Sequence, residues 1–107
     1  MKETGNNYVT VLWEAQAKVG RDAEMKSFIT GVVTSSRYDQ GCIDYEAYEV
    51  EGQTGKFIIF ERWESTAALE GHLQSQRMVE KAPQLLEMME GSIEEGIRLL
   101  QSFRPKQ

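Results

Sequence analysis

The spacing of the apolar residues changes from segment to segment, and this pattern constrains the fold more than any other feature. Over residues 8–19 apolar and polar residues alternate, which is typical of a strand with one apolar face. Over residues 21–37 apolar residues recur every three or four positions, which is typical of an amphipathic helix. Residues 42–51 and 56–64 are two further strand-like runs. The short glycine-containing loop between them indicates a β-hairpin.

The second half of the chain predicts helix followed by strand. Ser65 or Thr66 can cap a helix, whose expected inner face holds Ala68, Leu69, His72 and Leu73. A further helical stretch covers residues 78–89, with a kink or restart expected at Pro83. Residues 97–103 alternate again as a last strand. The resulting order, β-α-β-β-α-β, is the ferredoxin-like arrangement, an α+β fold with a four-stranded antiparallel sheet.

One face of this sheet lacks a cover in the predicted fold, because both helices pack on the other face. The uncovered face is expected to hold Tyr8, Leu12, Phe60 and either Phe57 or Ile58. A chain of 107 residues has no further element to place there. An apolar sheet face of this kind predicts a homodimer.

Length and charge set the class of protein. At 107 residues the chain is expected to form one domain over residues 1–107, with an ordered core at about 8–103. A net charge of −5 argues against binding to nucleic acid or an anionic membrane. No apolar run approaches the roughly 20 residues of a membrane span, and no signal segment is recognised. One cysteine, Cys42, allows no internal disulfide. We therefore expect a cytoplasmic protein.

His72 is the leading candidate for a catalytic residue. It is the single histidine of the chain, and its imidazole is the side chain whose ordinary pKa lies near neutrality. In a partly apolar pocket it can act as a base towards an acidic hydroxyl or carbon. The alternative is a structural histidine held by a carboxylate or a backbone carbonyl. A metal site is not predicted, because one histidine and scattered carboxylates do not form a ligand set.

Three aromatic residues and one acid are candidate substrate-binding residues. Trp13 and Trp63 can line a pocket for a flat ring, or can be ordinary core residues. Tyr45 and Tyr48 have opposite parity, so one at most faces such a pocket. Glu61 shares its parity with Trp63 and can point inward, although pairing with a neighbouring strand at the surface is the favoured interpretation.

Two motifs resemble the antibiotic-biosynthesis monooxygenase (ABM) family, which includes small quinol monooxygenases. The first is Gly41-Cys42-Ile43-Asp44-Tyr45. The second combines Glu61-Arg62-Trp63-Glu64-Ser65 with Leu69-Glu70-Gly71-His72-Leu73. The likeness runs from about Tyr8 to Phe103, in a consistent order and spacing. The sequence departs from the family pattern at Arg77, a position where many members carry a second histidine.

The resemblance implies a dimeric α+β barrel, in which two ferredoxin-like protomers pack sheet against sheet. It implies oxidation of phenols or quinols by O2 without flavin, haem or metal, so no cofactor is expected. Trp63 and His72 match pocket-lining positions of the family, and Tyr45 lies on a neighbouring strand. We therefore expect a monooxygenase acting on a small aromatic hydroquinone or phenol. An isomerase of a small hydroxy-carbonyl metabolite and a non-catalytic ligand-binding dimer are the alternatives.

Overall fold

A computed structural model describes residues 8–103. The elements, in chain order, are β1 Val9–Gln16, α1 Asp22–Ser36, β2 Cys42–Glu49, β3 Lys56–Trp63, α2 Thr66–Leu73, α3 Gln76–Met88 and β4 Ile97–Leu100, with a 3₁₀ turn at Glu94–Gly96 before β4. The single domain over residues 1–107 stays a prediction, since residues 1–7 and 104–107 lie outside the described part.

The sheet confirms the predicted ferredoxin-like arrangement. Its order is β2-β3-β1-β4, and every neighbouring pair is antiparallel. β3 lies between β1 and β2, with Val9 opposite Trp63 on one side and Cys42 opposite Trp63 on the other. The helices pack on one face of this sheet. Their packing buries alternate residues of β3 on that face, namely Phe57, Ile59, Glu61 and Trp63.

The first strand is shorter than predicted. It ends at Gln16, and Val19, expected on its apolar face, is 99% exposed. The chain leaves the sheet here because the Lys18 amide bonds to the carbonyl of Met88 at the end of α3. Gly20, with a φ of 82°, then turns the chain towards α1. The alternation thus continued beyond the residues that have a partner strand.

The first helix lies within one residue of its predicted bounds at each end. The side chains at its three- and four-residue steps face the sheet and are buried; they are Met25, Ile29, Val32, Val33 and Ser36. Acidic residues in its first turn complement the positive end of the helix dipole. The buried stripe confirms the amphipathic helix.

The second helical region differs from expectation at two positions. Ser65 caps α2 by accepting the Ala68 amide at 3.1 Å, and Ser75 caps α3, so the expected division into two helical stretches is confirmed. The restart expected at Pro83 is wrong, since α3 runs through it. Pro83 removes one backbone hydrogen bond from α3, and the helix nevertheless continues to Met88. Leu73, expected to be inward, is exposed at the end of α2.

The last strand is also shorter than predicted. The alternation over residues 97–103 predicted a longer strand, but β4 ends at Leu100, which pairs with Thr10. β1 begins at Val9, so residues beyond Leu100 have almost no partner strand to pair with. The β2–β3 hairpin is confirmed, with β2 ending at Glu49 rather than at residue 51.

The face of the sheet opposite the helices carries apolar side chains, as predicted. Leu12 lies directly across from Phe60, and Ile58 follows along β3; all three are half-buried. Phe57, the alternative to Ile58, faces the helices instead and is buried. Ion pairs of Glu14 with Lys56 and Arg98, and of Arg62 with Asp44, border this open face.

Candidate functional site

His72 lies on the buried side of α2 and is 2% exposed. Its ring lies against two aromatic rings of the sheet, with centroids 4.7 Å away for Trp63 and 5.5 Å for Tyr45. Gly41 makes this packing possible. A Cβ at that position would lie 2.5 Å from the Cβ of Ala68, so only glycine lets α2 approach the α1–β2 turn this closely.

The two ring nitrogens of His72 have different surroundings. Nδ1 lies 2.7 Å from Oδ2 of Asp39, and Nε2 is buried without a hydrogen-bond partner in the described part of the chain. An ionised carboxylate only accepts hydrogen bonds, so in neutral His72 the proton lies on Nδ1. Nε2 then carries a free lone pair. This arrangement of carboxylate and imidazole orients a base.

Arg77, on α3, is the second partner of Asp39. Its Nη1 donates to Oδ1 at 3.1 Å and its Nη2 donates to Oδ2 at 2.8 Å, so the two groups form a bidentate pair. Nη2 also donates to the Ser36 hydroxyl at 3.2 Å. The Arg77 hydrogen bonds hold the pKa of Asp39 below its usual range. Asp39 is therefore an anion when it faces His72.

Glu61 points inward and is 7% exposed, so the favoured interpretation of a surface pair is wrong. Its Oε1 accepts a hydrogen bond from Trp63 Nε1 at 2.9 Å. The phenol of Tyr45 interacts with both Glu61 and Ser36. These partners replace part of the hydration that the carboxylate loses on burial. The sheet thus supplies a second buried polar group beside the rings that contact His72.

Burial lowers the pKa of one titratable group of the site, His72, and raises those of two others, Glu61 and Tyr45. It lowers the pKa of His72, and the hydrogen bond to Asp39 only partly opposes this shift. It raises the pKa of Glu61, against the hydrogen bonds from Trp63 and Tyr45. It also raises the pKa of Tyr45, which keeps the phenol protonated. The group suited to accept a proton at neutral pH is therefore His72.

The His72 cluster consists of six residues, and Trp13 is not one of them. They are Asp39, Tyr45, Glu61, Trp63, His72 and Arg77. Trp13 is opposite Ile59 in the β1–β3 register, whereas Trp63 is opposite Val9, which places the two tryptophans about 13 Å apart along the strands. The Trp13 side chain is buried, and its Nε1 donates to the carbonyl of Ile93 at 2.9 Å. These contacts are those of a core residue.

A cavity of about 410 Å³ adjoins the cluster between the α1–β2 turn and α2. Of the residues predicted for the site, His72 is the one that lines it; the others are Asp39, Gln40, Gly41, Glu64, Ser65, Ala67, Ala68 and Gly71. A cavity of this size can hold a small molecule. The aromatic rings of Trp63 and Tyr45 lie behind His72 as seen from it.

Sequence reasoning did not identify the partners of His72. Arg77 was named only as a departure from the family pattern, and neither Asp39 nor Ser36 was a candidate site residue. Asp39 is 33 residues from His72 in the sequence and 38 residues from Arg77. The contacts of Asp39 with His72 and Arg77 form only when α2 and α3 close over the sheet. No local sequence signal therefore marks these partners, apart from the departure from the family pattern at Arg77.

Between residues 8 and 103 there is no group of three or more histidine, cysteine or acidic side chains placed to hold a metal ion. In the same part of the chain no helix has the length and apolar character needed to cross a membrane.

Comparison with known proteins identifies relatives of the whole described fold. A protein of Synechocystis of unknown function, sll1783, is 33% identical over 81 residues, which cover 73% of this chain and 55% of that protein. The chain thus spans about half the length of this curated relative. The structure of Rv0793 from Mycobacterium tuberculosis superposes with a TM-score of 0.81 at 21% identity, covering 94% of this chain and 99% of that one.

A solved structure of an antibiotic biosynthesis monooxygenase superposes with a TM-score of 0.80 at 18% identity, over 90% of this chain and 99% of that one. At such identities the structural likeness establishes the fold alone. The family model for antibiotic biosynthesis monooxygenases matches residues 8–90, which is most of the chain. This match includes both motifs and every residue of the His72 cluster. The chain belongs to the antibiotic biosynthesis monooxygenase family.

Proposed function

We propose that the protein is a cofactor-independent monooxygenase that oxidises a small aromatic hydroquinone or phenol with O2. The observation that carries the proposal is the state of His72. Its Nδ1 is held by Asp39 at 2.7 Å, while Nε2 is buried and unpartnered. A buried nitrogen lone pair without a donor costs free energy, so it is suited to receive a hydroxyl group from a ligand.

In the first step Nε2 of His72 takes the proton of the substrate hydroxyl. Asp39 stabilises the imidazolium that forms, because its carboxylate accepts the Nδ1 hydrogen bond. The substrate becomes a phenolate, whose ring carbons are electron-rich. An anion of this kind can reduce O2 directly, which is why the proposed reaction requires no flavin, haem or metal.

The oxygen step then balances as follows. A ring carbon of the anion gives its electrons to O2, which forms a C–O bond and a peroxide anion, and the peroxide takes a proton from the His72 imidazolium. His72, neutral again, takes the C–H proton of the same carbon as the O–O bond breaks, and it then passes this proton to the leaving hydroxide. One oxygen atom stays on the ring as a carbonyl, and the other leaves as hydroxide and becomes water. The products are one quinone and one water for each O2.

The proposed substrate site lies between the cavity and the aromatic rings of the sheet. Trp63 and Tyr45 supply apolar surface for a flat ring and exclude water from the base. The edge of His72 that carries Nε2 is closed in the structure, so binding requires α2 to move. α2 is eight residues long and is joined to α3 through Gln74 and Ser75, which allows such a displacement.

We also propose that a second copy of the chain covers the open face of the sheet. Leu12, Ile58 and Phe60 form the apolar centre of that face, and burial of such side chains contributes about 25 cal/mol per Å². Light scattering at micromolar concentration should give a mass near twice 12.2 kDa. Phe60→Glu should yield a monomer, whereas Val79→Glu, on an exposed part of α3, should not. A monomeric parent would contradict the dimer.

The reaction is tested with a panel of hydroquinones and phenols in an oxygen electrode. We expect one O2 consumed per quinone formed, and one labelled atom in the product when ¹⁸O2 is used. Turnover that continues without O2 would contradict the monooxygenase and support the isomerase. Tight binding of an aromatic ligand without any product would support a binding protein.

A further inference from the structure

Arg77 is paired with Asp39, the carboxylate that contacts Nδ1 of His72. It makes two hydrogen bonds to the Asp39 carboxylate and one to Ser36, and its side chain is largely buried. Asp39 in turn contacts His72 through Oδ2, the same oxygen that accepts from Arg77 Nη2. A cation, an anion and an imidazole thus form one continuous row.

An aspartate alone beside a histidine would favour the imidazolium, because the negative charge attracts a proton onto the ring. A protonated His72 carries hydrogen on both nitrogens and cannot accept another proton. Arg77 balances the charge of Asp39, so the row is neutral when His72 is neutral. The bidentate geometry also fixes the carboxylate plane, which aims Oδ2 at Nδ1.

We propose that Arg77 is a positioning residue that clamps and neutralises Asp39, so that His72 carries its single proton on Nδ1 and keeps Nε2 free as the base. This inference rests on the proposed function, in which His72 is that base. It differs from a purely structural role, because a structural contact would hold the fold without choosing the protonation state of His72.

The charged and titratable groups around His72 come from every element that packs on α2. The α1–β2 turn supplies Asp39, α3 supplies Arg77, and the sheet supplies Tyr45 with Glu61 behind it. Burial, Asp39 and Arg77 are the causes that act on the pKa of His72, and Arg77 lowers it. Asp39 raises the pKa of His72, so Asp39 and Arg77 shift this pKa in opposite directions.

The test uses the full chain labelled with ¹⁵N and the imidazole signals of His72, which need no assignment because it is the single histidine. In the parent protein the spectra should show hydrogen on Nδ1 and a bare Nε2, the tautomer that free histidine disfavours. Arg77→Gln should raise the midpoint of His72 titration by about one unit, a tenfold gain in proton affinity. Asp39→Asn should lower it.

Arg21→Gln is the matched control, since Arg21 is an arginine paired with an acid, Glu24, at the opposite end of α1. It should leave the titration of His72 unchanged. An unchanged midpoint in folded Arg77→Gln would overturn the proposal, as would shifts of the same sign in Arg77→Gln and Asp39→Asn.

If Arg77→Gln does not fold, Arg77→Lys gives the answer. Lysine keeps the positive charge without the bidentate bonds. The midpoint should then stay near that of the parent, while the proton spreads over both ring nitrogens. A parent-like tautomer in Arg77→Lys would overturn the positioning role.

The outcomes separate the two proposals, because the spectra are recorded without substrate. The expected tautomer in a protein that consumes no O2 contradicts the proposed function alone. An active enzyme whose His72 ignores Arg77 contradicts this inference alone.

Discussion

The two tryptophans of the chain lie on the same face of the same sheet, yet their surroundings differ in chemistry. Each donates its indole N–H at 2.9 Å, Trp13 to the backbone carbonyl of Ile93 and Trp63 to the Glu61 carboxylate. The first bond ties β1 to the segment before β4. The second belongs to a polar cluster that continues through His72. Burial and residue type are thus equal, and the hydrogen-bond partner distinguishes a core residue from a residue of the candidate site.

The largest effect in this comparison is expected for Trp63→Phe. The change keeps an apolar ring but removes the hydrogen bond to Glu61 and part of the surface against His72. Loss of a hydrogen bond to a buried polar group costs about 1–3 kcal/mol in the free energy of unfolding. Displacement of the His72 ring by the changed surface should in addition lower turnover, by up to about a hundredfold. Activity per folded molecule is the measurement. A parent-like value would remove Trp63 from the site.

Trp13→Phe is the matched variant at the other end of the sheet. It leaves the Ile93 carbonyl without its donor, so we expect a loss of about 1–3 kcal/mol in the free energy of unfolding. Turnover per folded molecule should stay within a few-fold of the parent, because Trp13 lies at the level of Ile59 in the sheet, four residues along β3 from Trp63. Denaturant unfolding and steady-state kinetics on one preparation check both statements. A selective loss of activity would contradict the division between the two ends.

A smaller effect is expected for the pH dependence of stability in Glu61→Gln. Burial raises the pKa of Glu61 above its ordinary 4.5, so the folded state holds this proton more tightly than the unfolded state. Protonated Glu61 therefore contributes its full stabilisation to the parent below pH 4.5. This contribution to the free energy of unfolding is lost as the pH rises through the pKa that Glu61 has in the folded state. Relative to the parent, the variant should gain stability with rising pH, by at most about 1.4 kcal/mol per unit.

The control for this measurement is Glu70→Gln, an exposed acid on α2. It changes the same functional group at a position outside the buried part of the site. His72 titrates in all three proteins, and its lowered pKa makes stability fall as the pH drops below 6.5. That contribution cancels in the difference between parent and variant. Parallel curves for Glu61→Gln and the parent would show that Glu61 does not titrate as a buried acid.

The order of helices and strands along the chain and their buried faces could be predicted because each depends on local periodicity. Val11, Trp13 and Ala15 share one parity, opposite to Thr10, Glu14 and Gln16, and the structure buries these three. Element ends were less predictable, because Val19 and residues 101–103 continue a pattern after their partner strand has ended. The continuation of α3 through Pro83 was likewise not predictable, because the local preference of proline is to end or kink a helix.

The site was predictable only in part. Tyr45, Trp63 and His72 follow from parity, helical spacing and family likeness, and the structure brings them into contact. Asp39 and Arg77 carry the electrostatics of the site but depend on closure between residues far apart in sequence. Trp13 was named with Trp63 because both are large and near strand ends. Register, which places them at different levels of the sheet, separates them.

The central claim is that His72 is a base held by Asp39 and not merely a buried structural side chain. His72→Ala tests it directly, with thermal melting and kinetics on one purified protein. Arg77 remains the partner of Asp39 in this variant, so we expect the fold and the dimer to persist while turnover falls by about 10² to 10⁴. A loss of about 1–3 kcal/mol in stability with activity per folded molecule kept within a few-fold would contradict the account.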